Sequence, residues 1–343
     1  MTWHLPAASW RDFNVEVFGA AGVPDDEAKM AADVRLESAL RQGAGIDVFS
    51  VRRLQNTVRR LQAGGINPAP NIAVVQDVGH HALLDGDNGL GAVVGTKAMQ
   101  RCLDNAVTHG LALVGVRNST TLGMMAYYAM LALPHHAIGF AATNTEFKIG
   151  LPPWGGCAPA LGNNPFAVAI PTGAGPAVVL DMSVIATPPQ AVGDDQGTSS
   201  RAPLSSGFTS RPVIGDHKGY GLALVLEVLT GVLTGAGFGR AHAPEQLDTP
   251  GARHDLGHLF GVLNPAVFMP QSQFLARMQQ LCEEIVQTPR APGVERIYVP
   301  GELEHERRET RLRDGIPVHA DTPAALQELC HGLMIEMPLI VEG

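Results

Sequence analysis

The segment Asp216-His217-Lys218-Gly219-Tyr220-Gly221-Leu222-Ala223-Leu224 sets glycines, a histidine and a lysine at the mouth of a long apolar helix. A helix start offers unpaired backbone N–H groups and a partial positive charge, and Lys218 adds a full one. The arrangement predicts an anion site whose natural occupant is a phosphorylated cofactor. A tight turn before a buried helix is the alternative that local physics leaves open.

Along the chain, helical and strand patterns alternate. Residues 9–54 read as helical, with Ser9 capping the first helix and Pro24-Asp25-Asp26-Glu27 starting a second. Residues 51–63 form a further helix bearing Arg52, Arg53, Arg59 and Arg60. Short strands are expected at 73–75 and 82–84, then a helix over 92–109. Strands at 111–116 and 137–143 flank a helix at 126–133, and strands follow at 166–170 and 177–180. Residues 187–210 are rich in Gly, Pro, Ser, Asp and Thr and read as a loop. The long helix spans 218–235, and 238–259 reads as a polar, His-rich excursion. A strand at 263–269, a helix at 271–288, a last strand at 295–299 and a helix at 322–337 complete the chain. This alternation favours an α/β fold. Gly89-Leu90-Gly91 lacks the third glycine and the βαβ frame of a dinucleotide fingerprint and reads as a turn and helix start.

The 343 residues suffice for a large core or two domains sharing an interface. A formal charge of −9 argues against nucleic-acid and anionic-membrane partners. Cys102, Cys157, Cys282 and Cys330 form no C-x-x-C pair, so neither zinc nor a redox dithiol is indicated and a reducing cytoplasm is expected. The first residues lack a basic region and an apolar run, so no signal peptide is expected. The longest apolar stretch, 222–232, contains Glu227 and falls short of the roughly 20 residues a bilayer span needs. His80, His81, His242, His254 and His258 match no metal-site spacing and read as loop histidines.

Further segments recur in a fixed order: Val116-Arg117-Asn118-Ser119, Leu122-Gly123, Trp154-Gly155-Gly156, Leu161-Gly162-Asn163-Asn164-Pro165-Phe166-Ala167, Asp181-Met182-Ser183 and Pro300-Gly301-Glu302. With the helix-mouth segment they resemble the type-2 malate/L-lactate dehydrogenase family over nearly the whole chain. That family is unrelated to the Rossmann lactate dehydrogenases. It includes ureidoglycolate, sulfolactate and diketogulonate oxidoreductases and reductases of cyclic imino acids. The resemblance implies an α/β fold with a non-Rossmann mixed central sheet and helical N- and C-terminal parts. It implies a cofactor-binding part (116–290) inserted between N-terminal (1–115) and C-terminal (291–343) pieces of a second domain. It further implies a homodimer, NADH or NADPH as cofactor, and a small carboxylated substrate.

Carried over position by position, His217, Lys218 and Gly219 match the family's surroundings of the cofactor phosphates. Asn144, Asn164, Pro165, Asp181 and Ser183 match the lining of the same cleft, and Gly301 and Glu302 the turn at its far end. Arg53 falls on an arginine whose guanidinium fork suits a carboxylate. Asn164-Pro165 as a rigid turn, Asp181 as a strand-end cap and Arg53 on a solvated basic face are the structural alternatives. The segment after Ser183 is shorter than in the family.

The proton-handling group departs from the pattern. Phe49 stands where the family has histidine, and Thr121 stands where it has a second one. Phe49 cannot move a proton, and the Thr121 hydroxyl is a weak acid. Lys148, in the segment that borders the substrate in this family, could serve if desolvated. An exposed lysine paired with Glu146 is the alternative, and Tyr127, Asp47 and Ser50 are weaker candidates. The reading is NAD(P)H-dependent reduction of a 2-oxo acid or cyclic imino acid, or the reverse. A protonated imine needs no strong acid during hydride delivery and so suits this site. A non-redox enzyme on the same fold, such as an isomerase, lyase or condensing enzyme, and a catalytically dead homologue remain open.

Overall fold

The computed structural model describes residues 3–43, 45–146, 149–185, 209–210, 214–215, 217–242 and 249–342. In chain order the first elements are β1 (Trp3–Leu5), α1 (Ala7–Ala20), α2 (Asp25–Arg41) and α3 (Val48–Gln62). Next come β2 (Ala73–Asp77), β3 (His81–Asp85), α4 (Gly91–His109), β4 (Leu111–Ser119), α5 (Met125–Met130), β5 (Ile138–Thr143) and β6 (Ile149–Gly150). β7 (Phe166–Ile170), β8 (Val178–Met182), β9 (Thr209–Ser210), α6 (His217–Glu227) and β10 (Leu256–Leu263) follow. The chain closes with α7 (Gln271–Val286), α8 (Glu302–Asp314), β11 (Ile316–Val318), α9 (Thr322–Leu333) and β12 (Val341–Glu342).

α3 begins earlier than the apolar pattern alone predicts, because Asp47 and Ser50 close a capping box. Asp47 Oδ1 accepts from the Ser50 amide at 2.7 Å, and Ser50 Oγ accepts from the Asp47 amide at 3.1 Å. Ser9 is not a cap: Pro6, at φ −54°, holds that place and Ser9 lies inside α1.

Among the described residues, seven strands form one mixed sheet in the order β2–β3–β4–β10–β5–β7–β8. β3 and β4 run parallel, and the other neighbours are antiparallel. The centre of the sheet is β10, whose first half falls within 238–259, the segment expected to be a polar, His-rich excursion. All but its last residue are buried, as expected for a strand covered on both faces. Gly257 is required by close approach, since a Cβ there would lie 1.8 Å from the Thr230 carbonyl oxygen. Two expected strands are absent. Residues 263–269 turn into a short 3-10 helix at Pro265–Val267, where proline cannot continue the ladder. Residues 295–299 run without regular structure. α8 was missed because its charged sequence ELEHERRETRLRD has no apolar stripe to read.

α4 and α5 cover one sheet face, burying Val94, Ala98, Met99, Cys102, Ala126 and Ala129 against Val114, Ala141, Ala167 and Phe260. On the other face Phe140, Ala142 and Phe166 pack with Ala223 and Leu226 of α6. A separate core joins the chain ends: Leu5, Trp10, Leu40 and Leu54 pack with Ile316, Val318, Leu326 and Leu329. There β1 pairs with both β11 and β12. α6 stops at Glu227 and passes into a π-helical turn, Val228–Val232, short of the expected 235.

Candidate functional site

α3 presents Phe49 and Arg53 one turn apart on its exposed side, and the Arg53 guanidinium carbon lies 4.2 Å from the Phe49 ring centroid. A second guanidinium stands behind them. Arg35 donates to Asn14 Oδ1 at 2.6 Å and to the Ser50 carbonyl at 3.1 Å. Burial and repulsion from Arg53 bring its pKa down to about 10, so it stays charged at neutral pH. Arg53 on α3 and Arg35 on α2 together make a positive site of the kind that suits a carboxylate. Arg53 was expected from the sequence, whereas Arg35 sits in α2 with no local motif around it.

Asp47 and Ser50 are held in the capping box. Burial, with Asp33 nearby, raises the Tyr127 phenol to about 12, which makes it a poor acid near neutral pH. Thr121 is exposed just beyond β4. Its neighbour Thr120 anchors the turn, donating to the Gly89 carbonyl and accepting from the Gly91 amide, both at 2.9 Å. Lys148 lies outside the described residues.

The two cleft asparagines are brought together beside α6. Asn144 is buried and spent on backbone: Nδ2 donates to the Gly237 carbonyl at 2.8 Å, and Oδ1 accepts from the Gly257 amide at 2.9 Å. Asn164 takes a positive φ of 30° and donates through Nδ2 to Glu227 Oε2 at 2.7 Å and to the Ala223 carbonyl at 3.1 Å. Glu227 Oε1 accepts from the Gly239 amide at 2.9 Å. This buried carboxylate pins the 239 turn, and its sequence signal was one charge inside an apolar run. Pro165 receives the Thr143 amide on its carbonyl, and Ser183 is half-buried beside Val184.

Other candidates sit apart from these. Asp181 faces the α5 side of the sheet, where its Oδ2 accepts from the Ala126 amide at 2.9 Å. Gly301 adopts φ +90° against Val179, and Glu302 opens α8, pairing with Arg296 and accepting from the Val299 amide at 3.2 Å. His217 and Lys218 are exposed at the start of α6, Gly219 is buried, and the His217 ring meets the Trp154 edge with centroids 5.5 Å apart.

The three downstream histidines are not loop residues on the surface. His242, His254 and His258 are all buried. His258 Nδ1 lies 2.8 Å from Thr143 Oγ1, and burial lowers its pKa to about 3. Burial also lowers that of His242, against the pull of Glu227 and Asp255. His254 Nδ1 meets Glu146 Oε1 in a short contact and Arg60 Nη1 at 3.0 Å. Arg60 also donates to the Gly65 and Ala252 carbonyls, both at 3.1 Å. Among the described residues no group of His, Cys, Asp and Glu could hold a metal ion, and no helix is long and apolar enough to cross a membrane.

Comparison with known proteins agrees with this architecture. The chain matches the malate/L-lactate dehydrogenase family over residues 5–327. It is 32% identical to a malate dehydrogenase of Pyrococcus abyssi, covering 95% of this chain and 93% of that one. It is 33% identical to an L-sulfolactate dehydrogenase of Methanocaldococcus jannaschii, covering 94% and 95%. The solved malate dehydrogenase of Pyrococcus horikoshii superposes with a TM-score of 0.86 at 29% identity, covering 98% of this chain and 97% of that one. The chain belongs to the malate/L-lactate dehydrogenase family.

Proposed function

We propose that this protein is an NAD(P)-dependent oxidoreductase interconverting a small 2-hydroxy acid and its 2-oxo acid, or reducing a cyclic imino acid. The observation that carries the reading is the Arg53–Arg35 pair at the start of α3, a carboxylate receiver in a chain whose relatives are dehydrogenases. The cofactor is NADH or NADPH, which supplies the hydride. Its phosphates suit the α6 mouth: Lys218 is exposed, the eleven-residue helix points the positive end of its dipole there, and the Gly221 side-chain position is open. Asn164 Oδ1, buried without a hydrogen-bond partner among the described residues, is an acceptor left for a donor from the bound group. Asn144, Pro165, Ser183, His217 and Gly219 are proposed to shape the cofactor cleft on the α6 side, with Gly301 and Glu302 at its far end and Asp181 holding α5 on the opposite face of the sheet.

In this reading Arg53 and Arg35 orient the substrate carboxylate, and the bond from Arg35 on α2 to the Ser50 carbonyl on α3 fixes their spacing. Phe49 holds the Arg53 guanidinium and shields the reacting carbon from water. With no histidine at positions 49 and 121, a substrate that already carries its proton, such as a protonated cyclic imine, is favoured over a ketone. Residues 116–290 form the cofactor-binding part, with 1–115 and 291–343 around it. The protein acts as a cytoplasmic homodimer, for which exposed Leu222, Val225, Val232 and Leu233 offer an apolar surface. The reading is tested by following reduced nicotinamide absorbance with malate, lactate, sulfolactate and their oxo acids, and with pyrroline- and piperideine-carboxylate. Cofactor-dependent turnover of one of them supports it, and inertness toward the whole panel with both cofactors counts against it.

A further inference from the structure

Two buried side chains one turn apart on α1 hold the second guanidinium of the site. Asn14 is fully buried; its Oδ1 accepts from Arg35 Nε at 2.6 Å, and its Nδ2 donates to the Trp10 carbonyl at 2.7 Å. The Arg35 guanidinium carbon also lies 5.8 Å from the centroid of the Trp10 ring. A third tie, from Nη2 to the Ser50 carbonyl at 3.1 Å, reaches α3 at the residue after Phe49. The guanidinium fork is thereby set by α1 and α3 together, although Arg35 itself belongs to α2.

What Arg35 lacks is a counter-charge. Between the same two helices Arg11 Nε donates to Asp33 Oδ1 at 2.5 Å, and Arg41 and Arg308 both meet Glu37. At Arg35 the Nε acceptor is a neutral amide, and among the described residues no carboxylate pairs with it. The charge that acts on Arg35 is that of Arg53, which is also positive. Holding an unpaired cation out of water is costly until an anion arrives. A guanidinium carries more donors than Asn14 and Ser50 occupy. Its Nη1 has no acceptor among the described residues and is not sealed from solvent, so that end of the fork is open to an incoming anion.

We propose that Asn14 is a positioning residue of the substrate-carboxylate receiver: its amide oxygen aims the Arg35 guanidinium and leaves the charge of Arg35 to the substrate. The proposal rests on the dehydrogenase reading above and on its pair of arginines. Asn14 does not touch the substrate and acts through Arg35. An asparagine serves here where an aspartate would not. An aspartate would offer Nε the same acceptor but would neutralise the guanidinium before the substrate arrived. The bound carboxylate also relieves the repulsion between Arg35 and Arg53.

The test uses the full-length protein and oxalate, a carboxylate that cannot accept a hydride here, titrated into the complex with NADH or NADPH and read by nicotinamide fluorescence. Asn14→Ala releases the aim of Arg35 and is expected to weaken oxalate about tenfold. Asn14→Asp keeps the acceptor and cancels the charge, and is expected to weaken it by about 30-fold. For a substrate of the panel above, KM is expected to follow oxalate affinity while kcat stays within about threefold. A merely structural asparagine would lower the urea midpoint and leave KM unmoved, and dinucleotide affinity checks that each variant is folded. Oxalate affinity within about twofold of wild type in both folded variants, or a loss in Asn14→Ala with none in Asn14→Asp, overturns the proposal. Should a variant not fold, arginine-selective NMR of the wild type decides, with the Arg35 Nε–H signal assigned through Arg35→Lys. That signal is expected to shift as oxalate binds, and a signal unmoved at saturating oxalate overturns the proposal. A wild type that binds neither dinucleotide overturns the dehydrogenase reading instead.

Discussion

Arg53 rests its guanidinium on the Phe49 ring, one turn earlier on α3, at the place where the family carries histidine. The ring trades proton transfer for a fixed arginine, so the two residues make separable predictions. Removing the guanidinium in Arg53→Ala takes away charge-assisted hydrogen bonds worth about 1.5–3 kcal/mol. We expect KM for the carboxylated substrate to rise about 10- to 100-fold. Phe49→Ala loses only a cation–π contact of about 0.5–1 kcal/mol, so a rise of about two- to fivefold is expected. Steady-state kinetics of both variants checks the order, and a larger effect at Phe49 than at Arg53 contradicts the assignment.

Glu227 is buried and receives both Asn164 Nδ2 and the Gly239 amide. Glu227→Ala leaves the Gly239 donor unpaired and opens a cavity under α6. A loss of about 3 kcal/mol in unfolding free energy is expected from urea titration. A loss under about 1 kcal/mol means that the carboxylate does not hold the turn.

His258 gives a pH dependence with a defined sign. Its pKa is about 3 in the folded protein against 6.5 for an ordinary histidine, because burial opposes the charged form. Between those values the unfolded chain binds a proton that the folded one does not. The contribution of His258 is therefore complete above pH 6.5 and is lost as pH falls toward 3. The slope is at most about 1.4 kcal/mol per pH unit. Urea unfolding across this range should show that slope in the wild type and a shallower one in His258→Gln.

The exposed apolar side of α6 and its π-helical turn carries Leu222, Val225, Val228, Val232 and Leu233. A charge placed there, as in Val225→Asp, is expected to convert a dimer into monomers with the fold intact, which light scattering reads directly. A wild type that is itself monomeric at high concentration refutes the homodimer.

Much of this was legible in the sequence where local chemistry is decisive. The acids after Pro24 mark the start of α2, and β7 falls where its apolar run predicts. What failed depended on tertiary context. β10 reads as polar because His258 and its glycines are buried only once α6 and the neighbouring strands pack around them. α8 has no apolar periodicity, and it is held by contacts such as Arg308 with Glu37 and Arg311 with the Ala39 and Gln42 carbonyls. At the candidate site, Arg53 was expected from its place in a motif. Arg35 and the Glu146–His254 contact join residues distant in sequence, which no spacing rule links.

The central claim is tested most directly by titrating the purified protein with NADH and with NADPH and following nicotinamide fluorescence, alone and with a 2-hydroxy or imino acid present. The account predicts saturable binding of one cofactor in the micromolar range, weakened about tenfold in Lys218→Ala as one charge contact to the phosphates is lost. Absence of binding by either cofactor would contradict it and remove the dehydrogenase reading at its root.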